Sequence, residues 1–424
     1  MSDILNEENV VYIENEFIRL GANMSLGGSI TYLAEHGRKN IINSCDWGRQ
    51  VQLSFYAHPV PYRPEGVEMG EHWTHTGWNP IQSGDFFGNR SKVLEYKVSE
   101  NEIYVKCIPM QWALKNLPGE CTFELWYRLD GKTVNATARL NNDRIDKNQY
   151  PACGQELPAV YTNGEYYRII SYVGEEPFTN GEVAEIVSKN TERSWPSDQM
   201  VYAENWVALL DDNDYGLGVY SPITCCAVGG FYGEMGHGGD KDPQTGTVSP
   251  TNLEILDHDI VYTFGYSLIV GELTDIRREA LELNKATDRR KYSFEHDRDH
   301  FYYRNITDKG FGHQDCLDFD FAPTGCVCSP YFFVKAGECR EVILDADIFS
   351  ESGEVEGEVG FRVYKATTVP SKNIEYKSLP IKLDGRGGRR IHKIDISEMK
   401  DCFIEFWIEF GTSGSAKIYS IEFR

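Results

Sequence analysis

The side chains best suited to chemistry cluster between residues 45 and 90, where strand-like alternation is weakest. The first part, CDWGRQVQLSFY, sets Arg49 and Gln52 among apolar residues. Aromatic rings stack on the apolar face of a sugar, while amides, carboxylates and arginine bind its hydroxyl groups. The loop that follows supplies the same mixture, and its candidate substrate-binding residues are Trp78, Asn79, Gln82 and Arg90. We expect a binding site here; an ordered loop that covers the end of a sheet is the alternative.

Histidines in this loop offer groups that can donate or accept protons. His72 and His75 stand beside Glu71, but they lie in a glycine-flanked loop and lack HExxH spacing. The close cysteine pairs lack CxxC spacing as well. We therefore expect no metal, and His75 is kept as a catalytic candidate.

A second candidate lies in CGQELPAVYTNGEYYRI, residues 153–169. Glu156 stands directly before the apolar run LPAV at 157–160, two residues ahead of a proline. Burial among apolar groups raises the pKa of a carboxyl, which is the property a general acid needs. Glu156 is thus the predicted acid, with Tyr161 nearby to bind a substrate hydroxyl. The alternative is an ion pair between Glu156 and Arg168.

A third segment, GGFYGEMGHGGDKDP at 229–243, is a glycine-rich loop that holds Glu234 and His237. Its glycines favour a lid or a close approach to a ligand, with a plain surface loop as the alternative. Trp206 begins an earlier strand and is expected to face the same cleft. No GxGxxG or GKS/T phosphate pattern is present, so we expect no cofactor.

The acid and base groups must be carboxylates or histidines, because no nucleophile motif such as GxSxG is present. Paired carboxylates are the usual device of glycosidases. The predicted pair is Glu156 as acid and Asp85 as base or nucleophile, with His75 and His237 as further catalytic candidates.

Net charge, the N-terminal segment and the number of cysteines limit the expected binding partners and the expected cellular compartment. The net charge of −23, from 42 basic and 65 acidic residues, repels nucleic acids and anionic membranes. A small neutral carbohydrate suits such a chain better than a strongly anionic substrate. The first twenty residues lack a secretory signal, and eleven cysteines are an odd number. We therefore expect a cytoplasmic protein with reduced thiols, and homo-oligomerisation stays open.

Alternating apolar and polar residues predict β-strands along most of the chain. Hairpins are predicted at 94–107, at 123–140 with a type I′ turn at Asp130-Gly131, and at 206–220. One helix is predicted over 274–285, with Thr274 as its N-terminal cap.

The charged, non-periodic stretch ATDRRKYSFEHDRDH after this helix is typical of a linker. It divides the chain into predicted domains of residues 1–296 and 297–424. Alternation resumes in the second domain, as at 317–321 and 404–410. Many short strands favour a β-sandwich of jelly-roll type there.

Two segments resemble a known family. NEFIRLGANMSLGGSITYLAEHGRKNII at 15–42 resembles the opening strands of galactose-mutarotase-like supersandwich proteins, and NWVALLDDNDYGLGVYSP at 205–222 is similar to their later hairpins. The resemblance implies an all-β, two-sheet supersandwich with a carbohydrate cleft on one concave sheet. Asn89-Arg90 matches the early Asn-Arg pair of aldose mutarotases, but their His-Tyr-Phe motif and late glutamate base have no counterpart. The second domain resembles carbohydrate-binding modules.

These observations predict a carbohydrate-active enzyme, a glycoside hydrolase acting on small oligosaccharides or glycosides. An aldose epimerase or mutarotase, and a non-catalytic carbohydrate-binding protein, are the alternatives. Segments 71–90, 153–161 and 229–240 are expected to meet over one sheet, because none alone supplies both an acid and a base. A pocket with one histidine and one carboxylate on opposite sides would favour epimerisation.

Overall fold

The computed structural model describes residues 9–186, 198–256, 259–287, 289–308, 315–368 and 374–424. Within them the chain is almost entirely antiparallel β, arranged in three sheets with one α-helix. The predicted fold class is confirmed: two large sheets pack face to face as a supersandwich, and a further β assembly follows. In the same described residues, no helix is both long enough and apolar enough to cross a membrane.

Nineteen strands precede the helix in the described part of the chain. They are β1 Val10–Glu14, β2 Ile18–Asn23, β3 Ser29–Glu35, β4 Val51–Ser54, β5 Pro80–Ile81, β6 Lys92–Val98, β7 Glu102–Ile108, β8 Met110–Gln111, β9 Cys121–Asp130, β10 Thr133–Asn142, β11 Cys153–Asn163, β12 Arg168–Ser171, β13 Ala184–Glu185, β14 Asp198–Val201, β15 Trp206–Leu210, β16 Tyr215–Tyr220, β17 Cys226–Tyr232, β18 Thr245–Glu254 and β19 Val261–Glu272. The first sheet has the order β1-β2-β3-β4-β11-β18-β17-β14, with β5 paired to β4 and β8. The second sheet has the order β13-β12-β15-β16-β19-β10-β9-β7-β6.

Strand β4 shows how the first sheet divides its two faces. Val51 and Leu53 are fully buried in the core between the sheets. Gln52 and Ser54 alternate with them and line a cavity on the other face. Successive side chains of a strand point to opposite faces of the sheet. One set of side chains therefore packs in the core, and the other set is available to form a site.

The predicted hairpins are confirmed by strand pairing. Strands β6 and β7, β9 and β10, and β15 and β16 pair as antiparallel neighbours. The turn at the second hairpin differs from the expected type I′. Asp130 pairs with Thr133, and of the two residues between them only Gly131 has a positive φ. A single positive φ at a leading glycine fits a type II′ turn.

Helix α1 spans Leu273–Lys285 and packs on the outer face of the second sheet. It begins one residue before the prediction, so Thr274 lies inside its first turn and does not cap it. Arg277 anchors the helix, because its guanidinium lies 2.6 Å from a fully buried carboxylate oxygen of Glu204. Ile276 fits against the sheet where Gly218 has no side chain; a Cβ there would lie 2.3 Å from its Cγ2.

The third sheet contains ten strands in the described residues. They are β20 Lys291–Ser293, β21 Tyr302–Arg304, β22 Thr307–Asp308, β23 Leu317–Phe321, β24 Gly325–Cys328, β25 Glu341–Tyr364, β26 Ile374–Arg386, β27 Arg390–Asp395, β28 Phe403–Phe410 and β29 Gly414–Phe423. The first half of β25 pairs with β27 and β29, and its second half pairs with β26 and β28. This long strand therefore joins the two halves of the sheet around one apolar cluster. The division into domains at residues 296 and 297 stays a prediction.

Some polar residues on strands of the third sheet are buried. In β28 the apolar residues face the core as predicted, but Glu405 is also buried, with 2% of its surface exposed. Arg362 compensates its charge, with Nε 3.1 Å from the Glu405 carboxylate. Tyr331 and Tyr364 nearby belong to the same apolar cluster as the N-terminal sheets. The two parts of the chain therefore share a buried contact.

All eleven cysteines lie in the described residues and are free thiols, of which Cys45 and Cys153 are half-buried and the others buried. Thiol titration of denatured, unreduced protein should find about eleven reactive groups. In the native protein we expect only Cys45 and Cys153 to react in the first phase of the thiol titration. This phase should be slow at neutral pH, because burial raises the pKa of both thiols. The double variant Cys45→Ser, Cys153→Ser should lose this phase. Blocked pairs in the denatured protein would contradict the assignment.

Candidate functional site

A cavity of about 680 Å³ opens on the outer face of the first sheet. Strands β4, β11, β17 and β18 form its floor, and the loops around them form its walls. The polar floor side chains are Gln52, Ser54, Glu156, Tyr161, Thr245 and Thr247. The segments predicted to meet, 71–90, 153–161 and 229–240, all contribute to the lining, the last through Phe231 and Tyr232.

A β-bulge in β11 sets the two central side chains of the floor. Glu156 pairs with Ser54 and Thr251, and Tyr161 pairs with Thr247. Five steps along β11 (156 to 161) thus face four along β18 (251 to 247), so β11 accommodates one extra residue. In a regular strand Glu156 and Tyr161 would point to opposite faces. The extra residue turns both into the cavity.

A chain of hydroxyl groups ends on the Glu156 carboxylate. Ser54 donates to the Tyr56 hydroxyl at 3.0 Å, and Tyr56 donates to Glu156 Oε2 at 3.0 Å. Burial raises the pKa of Glu156, and the bond from Tyr56 opposes this effect. The alternative partner Arg168 lies elsewhere, with Nη1 2.7 Å from Asp214 Oδ1. The predicted raised pKa of Glu156 therefore has a physical basis in this structure.

The Arg49 guanidinium is already occupied. Its Nε lies 3.2 Å from Asp46 Oδ2, and its Nη1 donates to the carbonyl of Pro243 at 2.7 Å. Gln52 holds the same loop, since its amide donates to the carbonyls of Trp47 and Arg49 at 3.3 and 3.1 Å. Arg49 consequently presents no uncompensated positive charge to the cavity, and Gln52 fixes the loop that carries it.

Aromatic side chains make up one wall of the cavity. Trp73 meets Trp112 at 5.5 Å and Phe86 at 6.0 Å between ring centroids, and Phe86 meets Trp112 at 5.8 Å. The His75 ring lies 6.1 Å from Trp73 and also lines the cavity. The wall thus joins an imidazole to a broad apolar surface, while Glu156 lies on the floor.

The structure brings together about half of the predicted site residues. The lining includes Glu156, His75, Arg49, Gln52, Asn79 and Tyr161. The predicted residues outside this described lining are Asp85, His237, Trp78, Gln82, Arg90, Trp206 and Glu234.

The predicted pairing of Asp85 with Glu156 needs correction. Asp85 is fully buried, and its carboxylate accepts hydrogen bonds from the backbone and side chain of Asn89, each at 2.8 Å, and from the Asn116 backbone at 2.7 Å. These bonds tie two loops together. Gln82 has a comparable role, since it accepts from the Leu53 backbone at 3.0 Å and donates to the Gly27 carbonyl at 3.0 Å.

The predicted aromatic contacts also need correction. Trp78 is fully buried, and the Arg144 guanidinium lies 4.9 Å from its ring. Trp206 is buried beneath helix α1 and donates from Nε1 to Glu204 at 2.9 Å. Trp78 thus belongs to the apolar cluster between the two sheets, and Trp206 to the cluster under the helix.

The remaining predicted residues lie on the surface near the cavity. His237 and Glu234 are largely exposed and lie 3.8 Å apart. Arg90 is exposed and extends over the Trp47 ring at 5.6 Å. None of the three belongs to the lining.

Comparisons with known proteins bear on the N-terminal part of the chain. No family model and no curated protein matches the sequence. Among solved structures, it is similar to a galactose mutarotase related enzyme from Lactobacillus acidophilus, with 12% identity, coverage of 62% of this chain and 97% of that chain, and a TM-score of 0.40. It is also similar to a galactose mutarotase-like protein from Lactobacillus casei ATCC 334, with 12% identity, coverage of 62% and 99%, and a TM-score of 0.38.

These neighbours are galactose mutarotase-like proteins. They belong to the family whose likeness was expected from residues 15–42 and 205–222, and they cover the N-terminal part. The C-terminal part is not covered.

Several residues that line the cavity were not predicted from the sequence. Tyr56 could have been identified from the sequence, because Gln52, Ser54 and Tyr56 alternate with the apolar residues of β4 and of the two positions that follow it. Trp112 could not, since it lies in a separate loop that only the fold brings beside Trp73. In the described residues, no group of three or more His, Cys, Asp or Glu side chains is arranged to hold a metal.

Replacing Trp78 tests whether this ring belongs to the core. Trp78→Ala should lower the free energy of unfolding by about 3–5 kcal/mol, the usual loss for a fully buried aromatic ring. Trp73→Ala, in the half-buried cavity wall, should cost less than half as much. Urea unfolding of the two variants provides the comparison, and equal losses would contradict the assignment.

Glu156 also makes stability depend on pH. The pKa of Glu156 is higher in the folded state than in the unfolded state, so the folded state binds this proton more tightly. The resulting stability is fully present at pH values below the unfolded-state pKa, and it is lost as the pH rises through the folded-state pKa. Glu156→Gln cannot ionise. The variant should therefore gain stability relative to the parent as the pH rises from about 4 toward neutrality.

Urea unfolding of both proteins across this range measures the trend, with Glu234→Gln on the surface as a control for charge removal. A difference in unfolding free energy that stays constant with pH would show that Glu156 keeps its ordinary titration.

Proposed function

We propose that the cavity binds the reducing end of a neutral sugar and that the protein is an aldose epimerase or mutarotase. One observation carries the proposal. The same cavity holds the shielded Glu156 carboxyl on its floor and the His75 imidazole on its wall. A histidine and a carboxylate in one cavity support epimerisation over simple binding, because a flat binding platform would need neither group.

The chemistry requires one base and one acid. A cyclic aldose opens when its anomeric hydroxyl loses a proton and its ring oxygen gains one, while the bond between C1 and the ring oxygen breaks. In the proposed reaction the Glu156 carboxylate takes the first proton and protonated His75 gives the second. Rotation about C1–C2 and the reverse transfers then close the ring as the other anomer. Both groups return to their starting states.

The environment of Glu156 suits the role of a base. Its raised pKa makes the carboxylate a better proton acceptor than an exposed one. The hydrogen bond from Tyr56 orients the carboxylate through Oε2. Tyr161 and Asn79 line the same space and are proposed to bind hydroxyl groups.

A neutral substrate agrees with the charges of the site. The one arginine among the described lining residues, Arg49, already contacts Asp46 and a backbone carbonyl. A phosphorylated sugar would need a cation that is free to pair with it. The free thiols agree with the proposal that the protein works in the cytoplasm.

Glycoside hydrolysis is the second candidate, favoured by one observation. Asp46 and Glu156 both line the cavity, so two carboxylates are present although Asp85 lies elsewhere. In that case Glu156 acts as the acid and Asp46 as its partner. The two reactions differ in substrate, because a hydrolase cleaves a glycoside while an epimerase needs a free anomeric hydroxyl.

Polarimetry on freshly dissolved aldoses tests the proposal. The parent protein should speed the change in optical rotation of at least one neutral aldose. Glu156→Gln and His75→Asn should each lower the rate by about two to four orders of magnitude, the scale of general acid–base catalysis. His237→Asn, on the surface, should keep the full rate.

A panel of aryl glycosides separates the two candidates. Release of the aglycone by the parent protein and not by Glu156→Gln would favour hydrolysis. Full epimerase activity in Glu156→Gln would contradict the assignment of the base.

A further inference from the structure

The cavity divides into two chemically different parts. The sheet supplies the polar floor around Glu156, whereas the loops supply the aromatic wall of Trp73, Phe86 and Trp112. A volume of about 680 Å³ lies within the range of roughly 300–1,000 Å³ found for pockets that bury drug-sized ligands. The space therefore suits a ligand with more than one ring.

The aromatic wall is held in place by backbone hydrogen bonds. Phe86 N–H donates to the Trp112 carbonyl, and Trp112 N–H donates to the Asn79 carbonyl, each at 2.9 Å. The loop that carries Trp73 is joined to the same strip, because Gly70 N–H donates to the Ala113 carbonyl at 2.9 Å. Rings on loops that are tied in this way do not need to be ordered by the ligand, so the stacking surface is preorganised.

Glycines let the rings lie close to the backbone. A Cβ at Gly48 would lie 3.2 Å from Cη2 of Trp112. A Cβ at Gly70 would lie 3.3 Å from both Trp73 and Phe86. These approaches are closer than ordinary contact, so a larger residue at either glycine would disturb the position of the rings.

We propose that this aromatic wall is a subsite for a second sugar ring, so that the substrate is the reducing end of a neutral di- or oligosaccharide. The inference rests on the proposed function and names its substrate class. Ring opening needs a free anomeric hydroxyl, so the second ring must be joined through another hydroxyl of the reducing ring. The reducing ring lies on the floor beside Glu156, and the apolar face of the second ring stacks on the wall.

Calorimetric titration tests the subsite independently of turnover. The ligands are lactose, maltose and cellobiose, compared with glucose and galactose. At least one disaccharide should bind roughly tenfold more tightly than its reducing monosaccharide, the scale of one aromatic stacking contact. Glu156→Gln should keep this preference although it lacks the base.

Variants of Trp112 locate the effect. Trp112→Ala should remove the disaccharide preference and leave monosaccharide affinity unchanged, while Trp112→Phe should keep part of the preference. Trp126→Ala, at a half-buried tryptophan outside the cavity that packs beside Tyr104, is the matched control and should behave as the parent. The unfolding transition of each variant confirms that it is folded.

Three results would overturn the inference. If monosaccharides bind as tightly as disaccharides, the subsite is wrong and the proposed epimerase function stands. If Trp112→Ala weakens both ligand classes equally, the wall belongs to the monosaccharide site. If none of the five sugars binds, the subsite and the proposed function fail together.

Discussion

The extra residue in strand β11 is the constraint on which the candidate site depends. Ahead of it Glu156 faces the cavity and Leu157 the core; beyond it Val160 faces the core and Tyr161 the cavity. The order of inward and outward residues therefore changes phase within one strand. Pro158 lies at this point, where a central strand can accept a residue that has no N–H to donate. A regular β11 would place either Glu156 or Tyr161 in the apolar core.

The burial of Glu156 lowers the stability of the fold, and for the same reason it makes the carboxylate a stronger base. The surrounding sheet excludes water, so the ionised carboxyl costs free energy there. Hydroxyl groups of Ser54 and Tyr56 offset part of that cost without supplying a positive charge. A nearby free arginine would have stabilised the carboxylate and made it a weaker base. The nearest cation in the cavity, Arg49, is held by Asp46 at the mouth.

Buried polar side chains around the cavity serve mainly to hold the shape of the surrounding loops. Asp85 joins two loops, Gln82 joins three segments of backbone, and Gln52 fixes the loop that carries Trp47. Gln155 does the same for Tyr56, because its amide both donates to and accepts from the Tyr56 backbone. Buried loop backbone must find hydrogen-bond partners, and these side chains provide them. The rigidity of the aromatic wall follows from this arrangement.

Local rules determined the strands, the hairpins, the helix and the all-β class, because alternation depends on neighbours in the chain. The same rules pointed to the apolar setting of Glu156. They could not separate Trp78 from Trp112, since both are tryptophans near polar residues and only packing decides which ring is buried. They could not show that the Asp85 carboxylate is hydrogen-bonded to Asn89 and Asn116. The partners of a polar side chain are chosen across sequence-distant segments, and those distances exist only once the two sheets have packed.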